Sequence, residues 1–137
     1  MPGPDFLDTN VLVYAYDAGS PDKQKIGQTL LGRALAGDFV ISTQVLSEFA
    51  TTLLHKISPA ATPKALSSIL DALAPIKTIL PDNDMVRRAV EVHARYKLHF
   101  YDAMIIAAAE HAGCERIMSE DLAEGQKYFG ITVVNPF

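Results

Sequence analysis

The chain has 137 residues, 49% hydrophobic and 20% charged, with a formal net charge of −4. That balance suits a single folded domain over residues 1–137 rather than a disordered chain, and the negative total confines any nucleic-acid contact to a local basic patch. The one cysteine, Cys114, excludes an intrachain disulfide and a cysteine-based zinc site, and the longest small-apolar run, residues 103–109, is too short to span a bilayer.

In chain order, residues 6–8 begin a first strand, and apolar residues continue over 11–16 as a helix entered directly from it. Ser20-Pro21 reads as a helix cap with proline at the first helical position. Ile26, Leu30, Leu31, Ala34 and Leu35 then recur at helical spacing until Gly37. Phe39-Val40-Ile41 is a short strand of buried type. Residues 43–56 form a helix with Val45, Leu46, Phe49, Ala50, Leu53 and Leu54 on one broad face. Thr62-Pro63 repeats the cap-plus-proline signal ahead of Leu66, Ile69, Leu70 and Leu73. Residues 76–80 read as a strand closed by Pro81-Asp82-Asn83, and a helix follows from about residue 84. The next helix covers 101–112 and ends at Gly113, which tolerates positive φ. Residues 116–118 and 131–134 are the last strands. Between them Ser119 reads as a helix cap, with Glu120 and Asp121 in the first turn. No secretory leader pattern is visible, so a cytoplasmic protein is expected.

Short strands alternating with helices imply parallel strands joined by crossovers. In such an open α/β sheet, function gathers at the carboxyl ends of the strands. Asp8 falls at one such end, inside the stretch FLDTNVLVYA. A carboxylate buried there without a partner costs several kcal/mol. It can be a helix cap, as can Thr9 or Asn10, yet three polar side chains stand where one suffices. Asp102 shares a helix face with Ile105, Ile106 and Ala109 and so points with the apolar stripe; a helix start also favours its charge. Asp121 has an ordinary first-turn reading. Glu48 lies far from the centre of its helix's apolar stripe, and periodicity makes it a solvated glutamate.

Other chemistry has weaker support. His55, His93, His99 and His111 show no paired metal-ligand spacing. Ser47 and Ser119 lack a hydrolase elbow, and there is no glycine-rich phosphate loop. Cys114 reads as a small packed residue.

Taken together, FLDTNVLVYA, QVLSEF, HFYDAMIIAAA and MSEDLAEGQ occur in an order that resembles the PIN-domain family, and within it the VapC-type toxins of toxin–antitoxin pairs. The resemblance spans nearly the whole chain. It implies a three-layer α/β/α sandwich around a mostly parallel five-stranded sheet. It also implies that Asp8, Glu48, Asp102 and Asp121 are the catalytic, metal-binding acids. Glu48 is selected by this resemblance alone. Ser119 stands where the family often has threonine, which keeps the hydroxyl.

Clustered carboxylates repel, each pair by roughly 4 kcal/mol at 4 Å and an effective dielectric of 20, and a divalent cation reverses that sign. Oxygen ligands without histidine or cysteine select Mg²⁺, or Mn²⁺, over zinc. Asp8, Glu48 and Asp102 would hold the principal ion. Asp121 would bind it through water, hold a second ion or help activate the water. Thr9, Asn10 and Ser119 would fix the carboxylates' orientation. The implied function is a metal-dependent endoribonuclease leaving 5′-phosphate and 3′-hydroxyl ends. Arg87, Arg88, Arg95 and Lys97, with His99, are candidate RNA contacts; Lys23, Lys25 and Arg33 form a second basic group, and ordinary charged surface is the plain alternative for any of them. The resemblance further implies a homodimer and a cognate antitoxin; residues 26–35 and 45–54 have enough apolar surface to form a groove for it, and a core-facing role for most of that surface is the plainer expectation. Two alternatives stay open: a haloacid-dehalogenase-like phosphatase using Asp8, and a non-catalytic RNA-binding module with a metal-stabilised acidic site.

Overall fold

Strand β1 (Asp5–Leu7) is the hinge of the topology. From it the chain passes through α1 (Thr9–Ala15) and α2 (Pro21–Leu35) to β2 (Phe39–Ser42). It continues through α3 (Thr43–His55) and α4 (Pro63–Leu73) to β3 (Lys77–Ile79). Helices α5 (Asn83–Tyr96) and α6 (Phe100–His111) lead to β4 (Arg116–Met118), and β5 (Lys127–Tyr128) and β6 (Ile131–Val134) follow. This computed structural model describes residues 3–137, so the first two residues of the expected single domain lie outside the description.

The strand order is β3-β2-β1-β4-β6-β5. All neighbours are parallel except β5 and β6. Phe6 stands opposite Val40 on one side and Ile117 on the other. Every residue of β1 and β2 is buried, as parallel strands covered on both faces require. The chain first steps outward from β1 to β3 and then returns across the sheet to β4. Right-handed crossovers put α1 to α4 on one face and α5 with α6 on the other. The helix contacts agree: α1 packs on α2 and α3, α3 on α4, and α5 on α6.

Local chemistry explains the boundaries. Ser42, Thr62 and Asp82 each accept a hydrogen bond from a backbone N–H of the helix that follows. Ser20 precedes Pro21 as expected but makes no side-chain capping bond. Gly27 lets α1 approach α2: a Cβ there would lie 2.8 Å from the Ala15 backbone nitrogen. Cys114 is buried, and burial pushes its thiol up to about 12, as suits a packed residue.

Three features differ from expectation. The sheet is mostly parallel, but it has six strands, because Lys127-Tyr128 pairs antiparallel with β6 across a turn at Phe129 and Gly130, both at positive φ. Ser119 caps no helix: its hydroxyl accepts from the N–H groups of Asp121 and Leu122 in a turn that goes no further. Helix α6 is buried nearly all round, with Ala103, Ile105, Ile106, Ala107, Ala108 and Ala109 all covered, so it has no single apolar stripe. Among the described residues no helix is long and apolar enough to cross a membrane.

Candidate active site

The reversal of strand order at β1 leaves a crevice at the carboxyl ends of β1 and β4. Asp8 follows the last residue of β1 and is the N-cap of α1, with extended backbone. Its own N–H donates to the Met118 carbonyl, which ties it to the end of β4. One carboxylate oxygen accepts from the Thr9 N–H at 2.7 Å and the other from the Ser119 hydroxyl at 2.8 Å. The capping reading of Asp8 is therefore correct as geometry, but it leaves most of the side chain's environment unexplained. Asp8 is 6% exposed, and among the described residues no cation pairs with it. Burial raises its pKa to about 6; the bonds from Ser119 and Thr9 oppose the rise, and the charges of Asp102 and Asp121 add to it.

Asn10, the second residue of α1, joins this corner to the loop after β4. Its amide nitrogen lies 3.1 Å from Asp121, 3.3 Å from the Ser119 hydroxyl and 3.4 Å from Asp8. Its amide oxygen accepts from the Glu120 N–H. Two amide hydrogens serve three acceptors only by sharing. Glu120 in turn pairs with Lys23 of α2, and that bond holds its carboxyl below the usual range. The loop carrying Asp121 is thus fastened to both α1 and α2.

Glu48 reaches the same cleft from α3. It accepts from the Thr9 hydroxyl at 2.9 Å and from the Gln44 amide at 2.9 Å. Gln44 also donates to the Tyr101 carbonyl at 2.8 Å, linking α3 to the first turn of α6. Asp102 sits in that turn, half-buried. Its pKa is raised by burial; His99 opposes the rise, and the charges of Glu48 and Asp121 add to it. The cleft itself is about 620 Å³. Glu48, Asp102 and Asp121 line it, and Asp8 stands behind Thr9 and Asn10 at its floor.

The four acids share one cleft and one electrostatic field. They do not form a ready-made cage: among the described residues no three acidic, histidine or cysteine side chains stand close enough together to hold a metal ion. Glu48 is turned onto Thr9 and Gln44, and Asp121 onto Asn10. The chemistry of the donor set nevertheless fits a hard divalent cation. It is oxygen-only and anionic, and it includes a buried carboxylate that carries no countercharge.

The basic residues picked out beforehand lie elsewhere. Arg88 makes two bonds to Glu110 and one to Glu91, with its guanidinium 3.8 Å from the Phe129 ring centroid. Arg95 stacks over Tyr96 and Phe129, Arg87 is paired with Asp84, and Lys97 is the left-handed cap of α5. None of the four lines the cleft. Lys56, His99, Tyr101, Thr51 and Thr52 do. Thr51 and Thr52 could have been found from spacing, since they stand three and four residues after Glu48 on one helix face.

Comparison with known proteins agrees with the fold. The family model described as "PIN domain" matches residues 6–123. No curated protein matches by sequence. Among solved structures, a toxin–antitoxin complex from Klebsiella pneumoniae aligns with a TM-score of 0.72 at 20% identity, covering 97% of this chain and 98% of that one. A DNA-bound VapBC from Salmonella typhimurium aligns at 0.70 and 18% identity over 100% of both chains. VapC20 of Mycobacterium tuberculosis, described as a sarcin-ricin loop cleaving toxin, aligns at 0.65 and 19% identity over 85% of this chain and 90% of that one.

Proposed function

Because the chain belongs to the PIN-domain family, we propose that it is a metal-dependent endoribonuclease, the toxin of a toxin–antitoxin pair. The observation that carries this reading is Asp8: a buried carboxylate without a cation, at the carboxyl end of the central strand, sharing a field with Asp102 and Asp121. Asp8, Glu48 and Asp102 would hold a Mg²⁺ or Mn²⁺ ion, and Asp121 would contribute from the loop after β4. When bound, that ion supplies Lewis-acid polarisation of the phosphate, a more acidic water and charge compensation at the leaving oxygen.

The protein's own part is orientation. Ser119 and the Thr9 N–H fix the two oxygens of Asp8. Asn10 holds Asp121 in line with them. The Thr9 hydroxyl and Gln44 hold Glu48 in the cleft, where its carboxylate would be available to the ion. Hydrolysis leaves 5′-phosphate and 3′-hydroxyl ends.

The partners follow the same family reading: an RNA substrate, a second copy of the chain and a cognate antitoxin, in the cytoplasm. The similar Klebsiella structure is described as a toxin–antitoxin complex, the Salmonella one as DNA-bound VapBC, and the mycobacterial one as a toxin that cleaves the sarcin-ricin loop. The phosphatase alternative has less support, because the position two residues after Asp8 is Asn10, and its amide is committed to Asp121 and Ser119.

The test is cleavage of structured RNA by the purified protein with Mg²⁺ or Mn²⁺. Cleavage is expected from the wild type and to fall to background in Asp102→Asn with the fold intact by circular dichroism. Wild-type rates from folded Asp102→Asn would take that residue out of the site. RNA binding with no cleavage in either ion would favour the non-catalytic reading.

A further inference from the structure

The first turn of α6 presents an aromatic ring to solvent beside the acids. Tyr101 is 57% exposed, whereas the helix that follows it is almost wholly covered. Tyr101 lines the same cleft as Glu48 and its sequence neighbour Asp102. An exposed first-turn position needs no aromatic side chain for folding, and apolar surface left in water gives the fold nothing.

The backbone that carries the ring is also held in place. The Tyr101 N–H donates to the His99 ring, and its carbonyl accepts from Gln44, the same amide that holds Glu48. The His99 and Tyr101 rings lie 5.8 Å apart with their planes inclined by 33°. The two rings therefore form a small, backbone-anchored aromatic shelf at one side of the cleft. Lys56, on α3, also lines the cleft and offers a cation for a phosphate.

We propose that Tyr101, backed by His99, is a stacking shelf for an unpaired base of the RNA substrate. The proposal rests on the nuclease reading for the identity of the ligand. Its physics is general: an exposed ring on an anchored backbone stacks a base whatever its sequence, and only a base free of its own helix can reach it. Apart from Val13 and Tyr14 the rest of the cleft is lined by polar and charged residue types, among them Asn10, Asp17, Thr51 and Thr52, which offer hydrogen bonds to a nucleotide. The shelf would make the enzyme choose loops and single strands over continuous duplex, and would set the reacting phosphate beside Asp102.

The chain contains no tryptophan, so Tyr101→Trp installs one fluorophore at the shelf. With a chelator present to prevent cleavage, a short single-stranded RNA should quench its emission saturably, and a blunt duplex of the same sequence should not. In steady state with Mn²⁺, Tyr101→Ala should raise KM roughly 5- to 100-fold, as loss of one stacked base does, with a smaller change in kcat. Tyr101→Phe and Tyr101→Trp should restore the wild-type KM. RNA binding without quenching, equal quenching by duplex, or an unchanged KM in Tyr101→Ala would overturn the proposal. Quenching by single strands in a protein that cleaves nothing would uphold the shelf and reject the nuclease reading; cleavage without quenching would do the reverse.

Discussion

Strand β1 has an aspartate at each end, and the fold treats them oppositely. Asp5 is 7% exposed and Asp8 6%. Asp5 receives the guanidinium of Arg116, at 2.9 Å and 3.3 Å, one bond to each oxygen. Asp8 receives only neutral donors, and its nearest charges are other carboxylates. Burial is the same, so burial alone does not distinguish a structural acid from a functional one; the presence of a protein cation does. Across the molecule Arg88 repeats the structural pattern, since Glu110 and Glu91 accept from all three of its nitrogens. At the acidic cleft the fold leaves the buried carboxylate of Asp8 without a countercharge, and a countercharge is what a metal ion would supply.

The largest effect that separates the two aspartates is on cleavage. Asp8→Asn should reduce metal-dependent RNA cleavage to background, whereas Asp5→Asn, on the opposite end of the strand, should keep it, as assayed on the same RNA with variants of confirmed fold. Full activity in Asp8→Asn would erase the distinction.

A second difference lies in pH. The folded pKa of Asp8, about 6, is above its ordinary value of 3.8. Between those values the folded protein holds a proton that the unfolded chain has lost, so stability falls as pH rises through the window. Asp102, also raised, pulls the same way. In chelator, urea unfolding should therefore lose on the order of 2–3 kcal/mol between about pH 4 and pH 7 from Asp8. Asp8→Asn should flatten that dependence.

Next in size is Ser119→Ala, which removes the hydroxyl that orients Asp8 and two turn N–H groups. Metal affinity should weaken about 10- to 100-fold, read by Mn²⁺ titration. Smallest is Arg116→Met. It strips Asp5 of its cation and should cost about 1–3 kcal/mol by urea unfolding, less than a fully buried pair because Arg116 is half-exposed, while metal affinity is unchanged.

Much of this arrangement was legible before the structure. Proline after a cap residue, glycine after a helix and short apolar runs located the start of every helix and the five longer strands to within a residue or two. The two-residue β5 was not, because Lys127-Tyr128 has too little pattern to register and owes its pairing to β6. Ser119 has the composition of a helix cap, but tertiary contacts use its hydroxyl and the turn ends there. Glu48 illustrates the limit of periodicity: off the apolar stripe means outside the core, and in this fold the outside of α3 faces the cleft. Arg88 and Arg95 read as a free basic run because their partners Glu110 and Phe129 come from distant parts of the chain. The separate fates of Asp5 and Asp8 depend likewise on Arg116, more than a hundred residues away.

The direct test of that separation is thermal melting of wild type, Asp8→Asn and Asp5→Asn, each with chelator and with Mn²⁺. At about 100 times its dissociation constant the ion adds about 2.7 kcal/mol, or roughly 10 °C for a chain of this size. Wild type and Asp5→Asn should both gain that shift, with Asp5→Asn melting lower throughout. Asp8→Asn should melt at or above wild type in chelator, one repulsive charge having gone, and gain little from Mn²⁺. Equal Mn²⁺ shifts in all three proteins would contradict the account and leave Asp8 a helix cap.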